Sequence, residues 1–310
     1  MGGVQQIYSQ EDKHKCLPDD VILWRYVSLQ TLFFYLNGGI FIPSIAKLRQ
    51  GDPFEGQFLF DTADFELALK EKGGNQFDRI QQWIRTALWT PADKRFFELN
   101  KELPGLAVSI DKNRYFEFLS KTRYAWCWFQ SEIESAAMWN TYGKDGVAIA
   151  TMVGDLVSIL KTSNYDFSFG RMCYFKRYGN FARCRSTEKQ LFVLRPQFLK
   201  REEYASENEV RFVTCTAENE NGGLVLSLRP EAWIKRIRLW PKLSSQEEES
   251  LVRALTHKFP KVDCEKSDLL QTSGRGMSRA FEDLQAFSQI SCESRWRSCD
   301  DGVPPILKNL

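Results

Sequence analysis

Three residues of the sequence carry groups that could bind a dinucleotide and break the bond to its sugar. Arg25 lies in an apolar stretch that predicts an early strand, Ser131 follows a second predicted strand, and Glu209 begins a third. A guanidinium binds phosphate oxygens through a bidentate fork. A carboxylate stabilises the positive charge that develops on a ribose as its glycosidic bond breaks. We expect the three side chains to line one cleft, with the serine hydroxyl orienting the sugar.

Glu209 is the second carboxylate of a Glu-x-Glu pattern that begins at Glu207. The pattern alone has little specificity, because it recurs at residues 132 and 134, 218 and 220, and 247 and 249. The pair at 207 and 209 differs in its context, since it stands at the start of an apolar strand predicted over residues 208–215. That position favours this pair as the catalytic one.

Structural roles compete with each of these interpretations. Arg25 could form an ion pair at a strand end, as most partly buried arginines do. Ser131 and Glu134 fit the Ser-x-x-Glu capping box of a helix N-terminus. Tyr26 and Tyr142, with neighbouring tryptophans, could stack on a base or nicotinamide ring, although aromatic residues in strands more often pack in a core.

A basic stretch indicates a possible polyanion partner. Residues 171–201 hold nine Lys and Arg residues and one acid, Glu188, in a chain whose formal net charge is +2. Such a local field favours nucleic acid, but it also suits an ordinary solvated surface. The candidate nucleic-acid contacts are Lys176, Arg177, Arg183 and Arg185.

Residue counts disfavour several kinds of active site. The chain has only two histidines, His14 and His257, and neither lies in a context that suits a Ser-His-Asp or Cys-His centre. Its eight cysteines form no Cys-x-x-Cys pair, so we expect free thiols and no zinc site. Asp52 and Glu55 could bind a metal but lack an evident third ligand and suit a turn. We therefore expect no metal.

The order of predicted elements indicates an α+β fold in a single domain. We expect a polar leader over residues 1–20, one domain over 21–270 and a loosely attached tail over 271–310. Strands are predicted over residues 21–27, 40–42, 124–129, 147–152, 234–240 and 262–264, with a hairpin of residues 208–215 and 224–228 around Asn221. Helices are predicted after an N-cap at Ser28, over much of 62–122, and over 247–257. No apolar run is long enough to span a membrane and no secretory signal begins the chain, so we expect a cytoplasmic protein.

Five short motifs follow one another along the chain. They are Leu23-Trp-Arg-Tyr-Val-Ser28, Asp52-Pro-Phe-Glu-Gly56, Trp128-Phe-Gln-Ser-Glu132, Met138-Trp-Asn-Thr-Tyr-Gly143 and Glu207-Asn-Glu-Val-Arg211. In this order they resemble a bacterial family known as domain of unknown function 2971, and the similarity covers about residues 21–270.

The order of Arg25, Ser131 and Glu207-Asn-Glu209 is also similar to that of the ADP-ribosyltransferase superfamily. This resemblance implies a mixed, largely antiparallel split sheet with flanking helices that binds NAD. It implies that Arg25 holds phosphate, Ser131 supports the nicotinamide ribose, Glu209 is catalytic and Glu207 orients the acceptor. Many members of the superfamily are toxins in phage defence or bacterial conflict. The alternative is a module of the same fold that binds nucleic acid without catalysis.

Overall fold

The computed structural model describes residues 2–7, 16–56, 117, 119–175 and 195–270. The strands of this part of the chain are β1 (Val4–Gln6), β2 (Ile22–Ser28), β3 (Gly39–Pro43), β4 (Arg123–Gln130), β5 (Gly146–Met152), β6 (Phe167–Arg171), β7 (Cys173–Phe175), β8 (Leu199–Arg201), β9 (Glu209–Cys215), β10 (Gly223–Ser227), β11 (Arg236–Leu239) and β12 (Asp263–Lys266). The α-helices are α1 (Leu29–Leu36), α2 (Ile45–Leu48), α3 (Ala136–Tyr142), α4 (Val153–Leu160) and α5 (Ser245–Lys258). Residues 117 and 119–122, directly before β4, are also helical. The fold is α+β, as predicted.

Eight of these strands form one mixed sheet in the order β1-β6-β9-β4-β2-β5-β11-β12. The inner pairs are antiparallel, whereas β1 pairs parallel with β6 at one edge and β12 pairs parallel with β11 at the other. Two smaller two-stranded sheets join β10 to β3 and β7 to β8. β1 comes from the predicted polar leader, whose Leu17 is also buried in the core.

The two faces of the large sheet bury different residues. One face carries the larger apolar core, to which β2 contributes Leu23 and Val27 and β9 contributes Val210 and Phe212. Helices α1 and α4 add apolar side chains to that core. The other face carries a smaller cluster that contains Trp24 and Tyr26. Alternation along a strand therefore assigns each β2 and β9 residue to one face.

The sheet is weakly joined between β2 and β4. β2 pairs with β5 along all of its seven residues, but it pairs with β4 only at Leu23–Gln130 and Trp24–Phe129. Beyond these two pairs the backbones of β2 and β4 do not form a ladder. This opening lies directly beside Arg25.

The predicted hairpin of residues 208–215 and 224–228 is wrong. The two strands form, but β10 pairs antiparallel with β3, with Leu224 opposite Ile42. β9 already pairs with β4 on one side and β6 on the other, so it has no free edge for β10. The turn at Asn219–Gly222 still forms, and Gly222 adopts a φ of +62°, which glycine tolerates.

Candidate active site

The Glu207-Asn208-Glu209 motif lies where the central strand β9 begins. A 3-10 helix (Glu202–Glu207) ends at the first residue of the motif, and Asn208 bends the chain with a φ of +42°. Asparagine is one of the few residues that adopt this left-handed conformation at modest cost. Its carbonyl accepts a hydrogen bond from the Gln130 backbone at 3.0 Å, and its side-chain amide donates to the Gln130 carbonyl at 2.8 Å. The motif is thereby fixed against the end of β4.

Both glutamates of the motif bind one lysine, which the sequence analysis did not single out as a site residue. The Lys200 Nζ lies 2.5 Å from Glu207 Oε2 and 3.0 Å from Glu209 Oε2. The three side chains are 8%, 13% and 6% exposed, respectively, so Glu207 is the nearest of them to solvent. The ammonium therefore lies between two mostly buried carboxylates.

A buried arginine and a third glutamate complete this group. The Arg211 guanidinium donates to both oxygens of Glu55, at 2.6 and 3.0 Å, and to both oxygens of Glu209, at 2.7 and 3.1 Å. We call Glu55, Lys200, Glu207, Glu209 and Arg211 the Lys200 cluster. It contains three carboxylates and two cations, so its formal charge is one unit negative.

The charges of the Lys200 cluster stabilise one another. Burial alone would raise the pKa of Glu209, but the positive charges of Arg211 and Lys200 outweigh it and lower that pKa to about 2. Burial also opposes the charged form of Lys200, and Glu209 together with the other carboxylates raises its pKa above the ordinary value. Glu209 and Lys200 are therefore charged across the physiological range.

Three tyrosines contact residues of the Lys200 cluster. Tyr142, the last residue of α3, is 51% exposed, and its hydroxyl donates to Glu207 Oε1 at 3.0 Å. The Tyr174 hydroxyl accepts a hydrogen bond from the backbone of Glu209 at 2.7 Å. The Tyr204 ring lies 4.9 Å from the Lys200 ammonium. Burial, reinforced by the Glu207 charge, raises the pKa of Tyr142, so its hydroxyl stays protonated and available as a donor.

Arg25 does not share the face of the sheet that carries Glu209. It alternates with Trp24 and Tyr26, whereas Glu209 alternates with Val210, which faces the larger core. Its guanidinium donates to the Cys127 carbonyl in the opening beside β4, and its Nε donates to the Tyr35 hydroxyl of α1 at 3.0 Å. The period of two along β2 directs the side chain of Arg25 towards α1. Burial opposes its charge, but Tyr35, Cys127 and Glu209 raise the pKa of Arg25 above the ordinary value. The guanidinium in the opening beside β4 therefore lies within electrostatic range of Glu209, although the two residues belong to opposite faces of the sheet.

Ser131 lies at the same end of the central strands as the Glu-x-Glu motif. It follows Gln130, which binds Asn208, and its carbonyl accepts from the Trp24 indole at 3.1 Å. The capping-box interpretation with Glu134 is wrong. Ser135 is the N-cap of α3 and accepts from the Met138 backbone at 3.4 Å, whereas Ser131 Oγ accepts from the Ile133 backbone at 3.2 Å.

Tyr26 lies near this end but is not free to stack on a ligand. Its hydroxyl accepts from the Ser135 backbone at 2.7 Å, and its ring packs edge-on against Trp139 with centroids 5.1 Å apart. The residue is 8% exposed. Its packing supports the loop that carries Ser131 rather than a ligand-binding surface.

The described part of the basic stretch binds the protein itself. Arg171 donates to Gln130 at 2.8 Å, and Arg195 donates to the Ile7 carbonyl at 3.2 Å. Lys200 belongs to the cluster above, and Arg201 pairs with Asp52 at 3.2 Å. The four candidate nucleic-acid contacts, Lys176, Arg177, Arg183 and Arg185, lie outside the described residues.

Asp52 and Glu55, the second carboxylate pair of the sequence, bind arginines. Asp52 pairs with Arg201, and Glu55 with Arg211. Among the described residues, no group of three or more His, Cys, Asp or Glu side chains is placed to hold a metal ion. In the same residues, no helix combines the length and apolar character needed to cross a bilayer.

Sequence reasoning missed Lys200 and Arg211 as members of the site. Arg211 carried a usable signal, since residues i and i+2 of a strand share a face and Glu209 and Arg211 have opposite charges. The sequence offered no such signal for Lys200, because this residue lies in a run of basic residues that is typical of a solvated surface. Tyr174 and Glu55 come from distant segments that only the tertiary fold brings to β9.

No protein-family model, curated protein or solved structure matches this chain.

Proposed function

We propose that the chain is an ADP-ribosyltransferase-like enzyme that cleaves the nicotinamide–ribose bond of NAD and passes ADP-ribose to an acceptor or to water. The observation that carries the proposal is the Glu-x-Glu motif at the start of β9, whose outer carboxylate, Glu207, reaches the exposed Tyr142. The relation to the family known as domain of unknown function 2971 is part of the same proposal.

The charge of the site supports chemistry on a developing cation. Breaking a glycosidic bond leaves positive charge on the sugar, and a nearby carboxylate that stays ionised stabilises it. The five residues of the Lys200 cluster, without the nearby Arg25, are formally one unit negative, and Glu207 is the most solvent-exposed of the three carboxylates. A substrate that approaches from the Tyr142 side therefore meets Glu207 first.

The geometry favours Glu207 over Glu209 as the carboxylate that faces the ribose. Glu209 is 5% exposed, and both of its oxygens bind cations. Glu207 binds Lys200 through Oε2 and only the Tyr142 hydroxyl through Oε1. A ribose hydroxyl can replace that of Tyr142 at Oε1 without separating an ion pair. Glu209 then keeps Lys200 in place instead of contacting the sugar.

Two further residues complete the proposed site. Ser131 lies beside the motif and supports the ribose, and the half-exposed Tyr142 ring offers a flat surface to the nicotinamide or the acceptor. Arg25 has no phosphate contact in this proposal, because its guanidinium is bound to Cys127 and Tyr35.

The direct test is nicotinamide release from NAD, followed by chromatography, with intact-mass detection of ADP-ribose on the protein and on added nucleic acids. The wild-type protein should release nicotinamide, and Glu207→Gln should lose roughly 10²–10³-fold in rate, as expected when a preorganised charge is removed. Glu220→Gln is a matched control, since it belongs to another Glu-x-Glu pattern and is exposed. Absence of nicotinamide release by the wild-type protein with every acceptor would overturn the proposal.

A further inference from the structure

Lys200 has an unusual place for a lysine, since it is almost fully buried between two acidic side chains. Its ammonium contacts Glu207 at 2.5 Å and Glu209 at 3.0 Å, and the Tyr204 ring covers it from 4.9 Å. Its side chain is 8% exposed. A flexible lysine loses most of its side-chain entropy in such a position, so the contacts must offset that cost.

We propose that Lys200 is a positioning residue, which holds Glu207 and Glu209 together as one unit and fixes the free edge of Glu207 towards Tyr142. Its effect on turnover rests on the proposed function, whereas its effect on the two carboxylates does not. Lys200 does not itself contact the substrate in this proposal.

The two glutamates depend on Lys200 to different extents. Glu209 also binds Arg211 through both oxygens, at 2.7 and 3.1 Å, so it keeps a cation when Lys200 is removed. Glu207 contacts Lys200 and Tyr142 in the described part of the chain, and Lys200 is its cation there. Loss of Lys200 should therefore release Glu207, while Glu209 stays bound.

Repulsion between the carboxylates adds to this effect. Two nearby carboxylates in a poorly hydrated site raise each other's proton affinity unless a cation lies between them. Without the Lys200 ammonium, Glu207 would lose its ion-pair partner and turn away from Glu209 into solvent. That movement removes the oriented carboxylate that the reaction needs, and displacement of about 1 Å can cost roughly 10²-fold in rate.

The test compares Lys200→Met and Lys200→Arg with the wild-type protein, and Lys235→Met is the control. Lys235 is 42% exposed and pairs at 3.1 Å with Asp155, which is 21% exposed. It lies outside the Lys200 cluster, so its loss should leave turnover unchanged. We expect Lys200→Met to lower kcat roughly 10²-fold with a smaller change in KM. Lys200→Arg should recover much of the rate, because it keeps the charge.

A second pair of variants distinguishes loss of positioning from loss of folding. Glu209→Gln keeps the Lys200–Glu207 pair, and Lys200→Met/Glu209→Gln removes one cation and one anion together, which leaves the formal charge of the cluster unchanged. If Lys200 positions Glu207, the double variant should be much slower than Glu209→Gln. Equal rates in these two variants, or Lys200→Arg no faster than Lys200→Met, would overturn the proposal.

Carboxylate NMR separates this proposal from the proposed function. With the glutamate side-chain carbons labelled, Lys200→Met should raise the pKa of Glu209 and change the Glu207 resonance, whether or not the protein cleaves NAD. Unchanged signals from both carboxylates would refute the positioning role even in an active enzyme. Changed carboxylate signals in a protein that releases no nicotinamide would support the positioning role of Lys200 and contradict only the proposed NAD reaction.

Discussion

The Arg211 guanidinium binds the carboxylate of Glu55 through two hydrogen bonds of 2.6 and 3.0 Å, although 156 residues separate them in the chain. Both side chains are almost fully buried, at 1% and 3% exposure. This pair attaches the segment around Glu55 to the central strand β9. Because Arg211 also binds Glu209, the same guanidinium links that segment to the candidate site.

We expect Arg211→Met to destabilise the protein by about 3–5 kcal/mol, because it leaves two buried carboxylates without their shared cation. Urea unfolding measures the effect. The control is Arg253→Met, since Arg253 and Glu249 form a pair that is 77% and 71% exposed and should contribute about 1 kcal/mol or less. Similar losses of stability in the two variants would contradict the buried network.

The pH dependence of stability should show the ionised state of Glu209. Its pKa in the folded protein is about 2, below the ordinary value of 4.5. Ionisation of Glu209 therefore stabilises the folded state fully at pH values above about 4.5. That contribution is lost as the pH falls from about 4.5 towards about 2. Urea unfolding across this window should give a steeper fall in the free energy of unfolding for the wild type than for Glu209→Gln. Parallel curves would show that Glu209 has no lowered pKa.

Substitutions of Ser131 and Ser135 should separate an effect on function from an effect on stability. Ser135 caps α3 through the Met138 backbone, so Ser135→Ala should cost about 1 kcal/mol. Ser131→Ala should leave stability within about 0.5 kcal/mol and lower the rate of nicotinamide release. Thermal unfolding and the NAD assay together check both expectations. A loss of stability with an unchanged rate of nicotinamide release in Ser131→Ala would show that Ser131 has a capping role and does not belong to the proposed site.

Substitutions of Tyr142 and Tyr174 should likewise separate an effect on turnover from an effect on stability. The Tyr142 hydroxyl donates to Glu207 from a half-exposed side chain, so Tyr142→Phe should affect turnover and leave stability nearly unchanged. The Tyr174 hydroxyl accepts from the Glu209 backbone, and Tyr174→Phe leaves that N–H without this acceptor, at a cost of about 1–3 kcal/mol. Chemical unfolding of the two variants side by side measures the difference. Equal stability losses would argue against the assigned contacts.

Local signals predicted much of the described secondary structure. The apolar strand over residues 21–27 and the N-cap at Ser28 are confirmed in β2 and α1, and the helix predicted over 247–257 is confirmed as α5 (Ser245–Lys258). These elements depend on neighbouring residues, such as a serine that accepts from the third residue of the helix. Much of the helical segment predicted within 62–122 and the tail over 271–310 lie outside the described residues.

Contacts between distant segments were not predictable in the same way. The turn at Asn221 suggested a hairpin, but strand pairing depends on which edges remain free, and β9 has none. The predicted position of the Glu-x-Glu motif at a strand start is confirmed, since Glu209 begins β9. The lysine that both glutamates bind was not predictable, because nothing in a run of basic residues shows which one is buried. The placement of Arg25 on the opposite face follows from the period of two along β2, a rule the sequence itself supplies.

The central claim is that Glu207, held by Lys200, is the carboxylate that acts on NAD, and the rate of nicotinamide release by Glu207→Gln tests it most directly. Measured at saturating NAD beside the wild-type protein, Glu207→Gln should be roughly 10²–10³-fold slower. Because Glu207 lies near the surface of the cluster, the variant should remain folded by circular dichroism. A folded Glu207→Gln that releases nicotinamide at the wild-type rate would contradict the account.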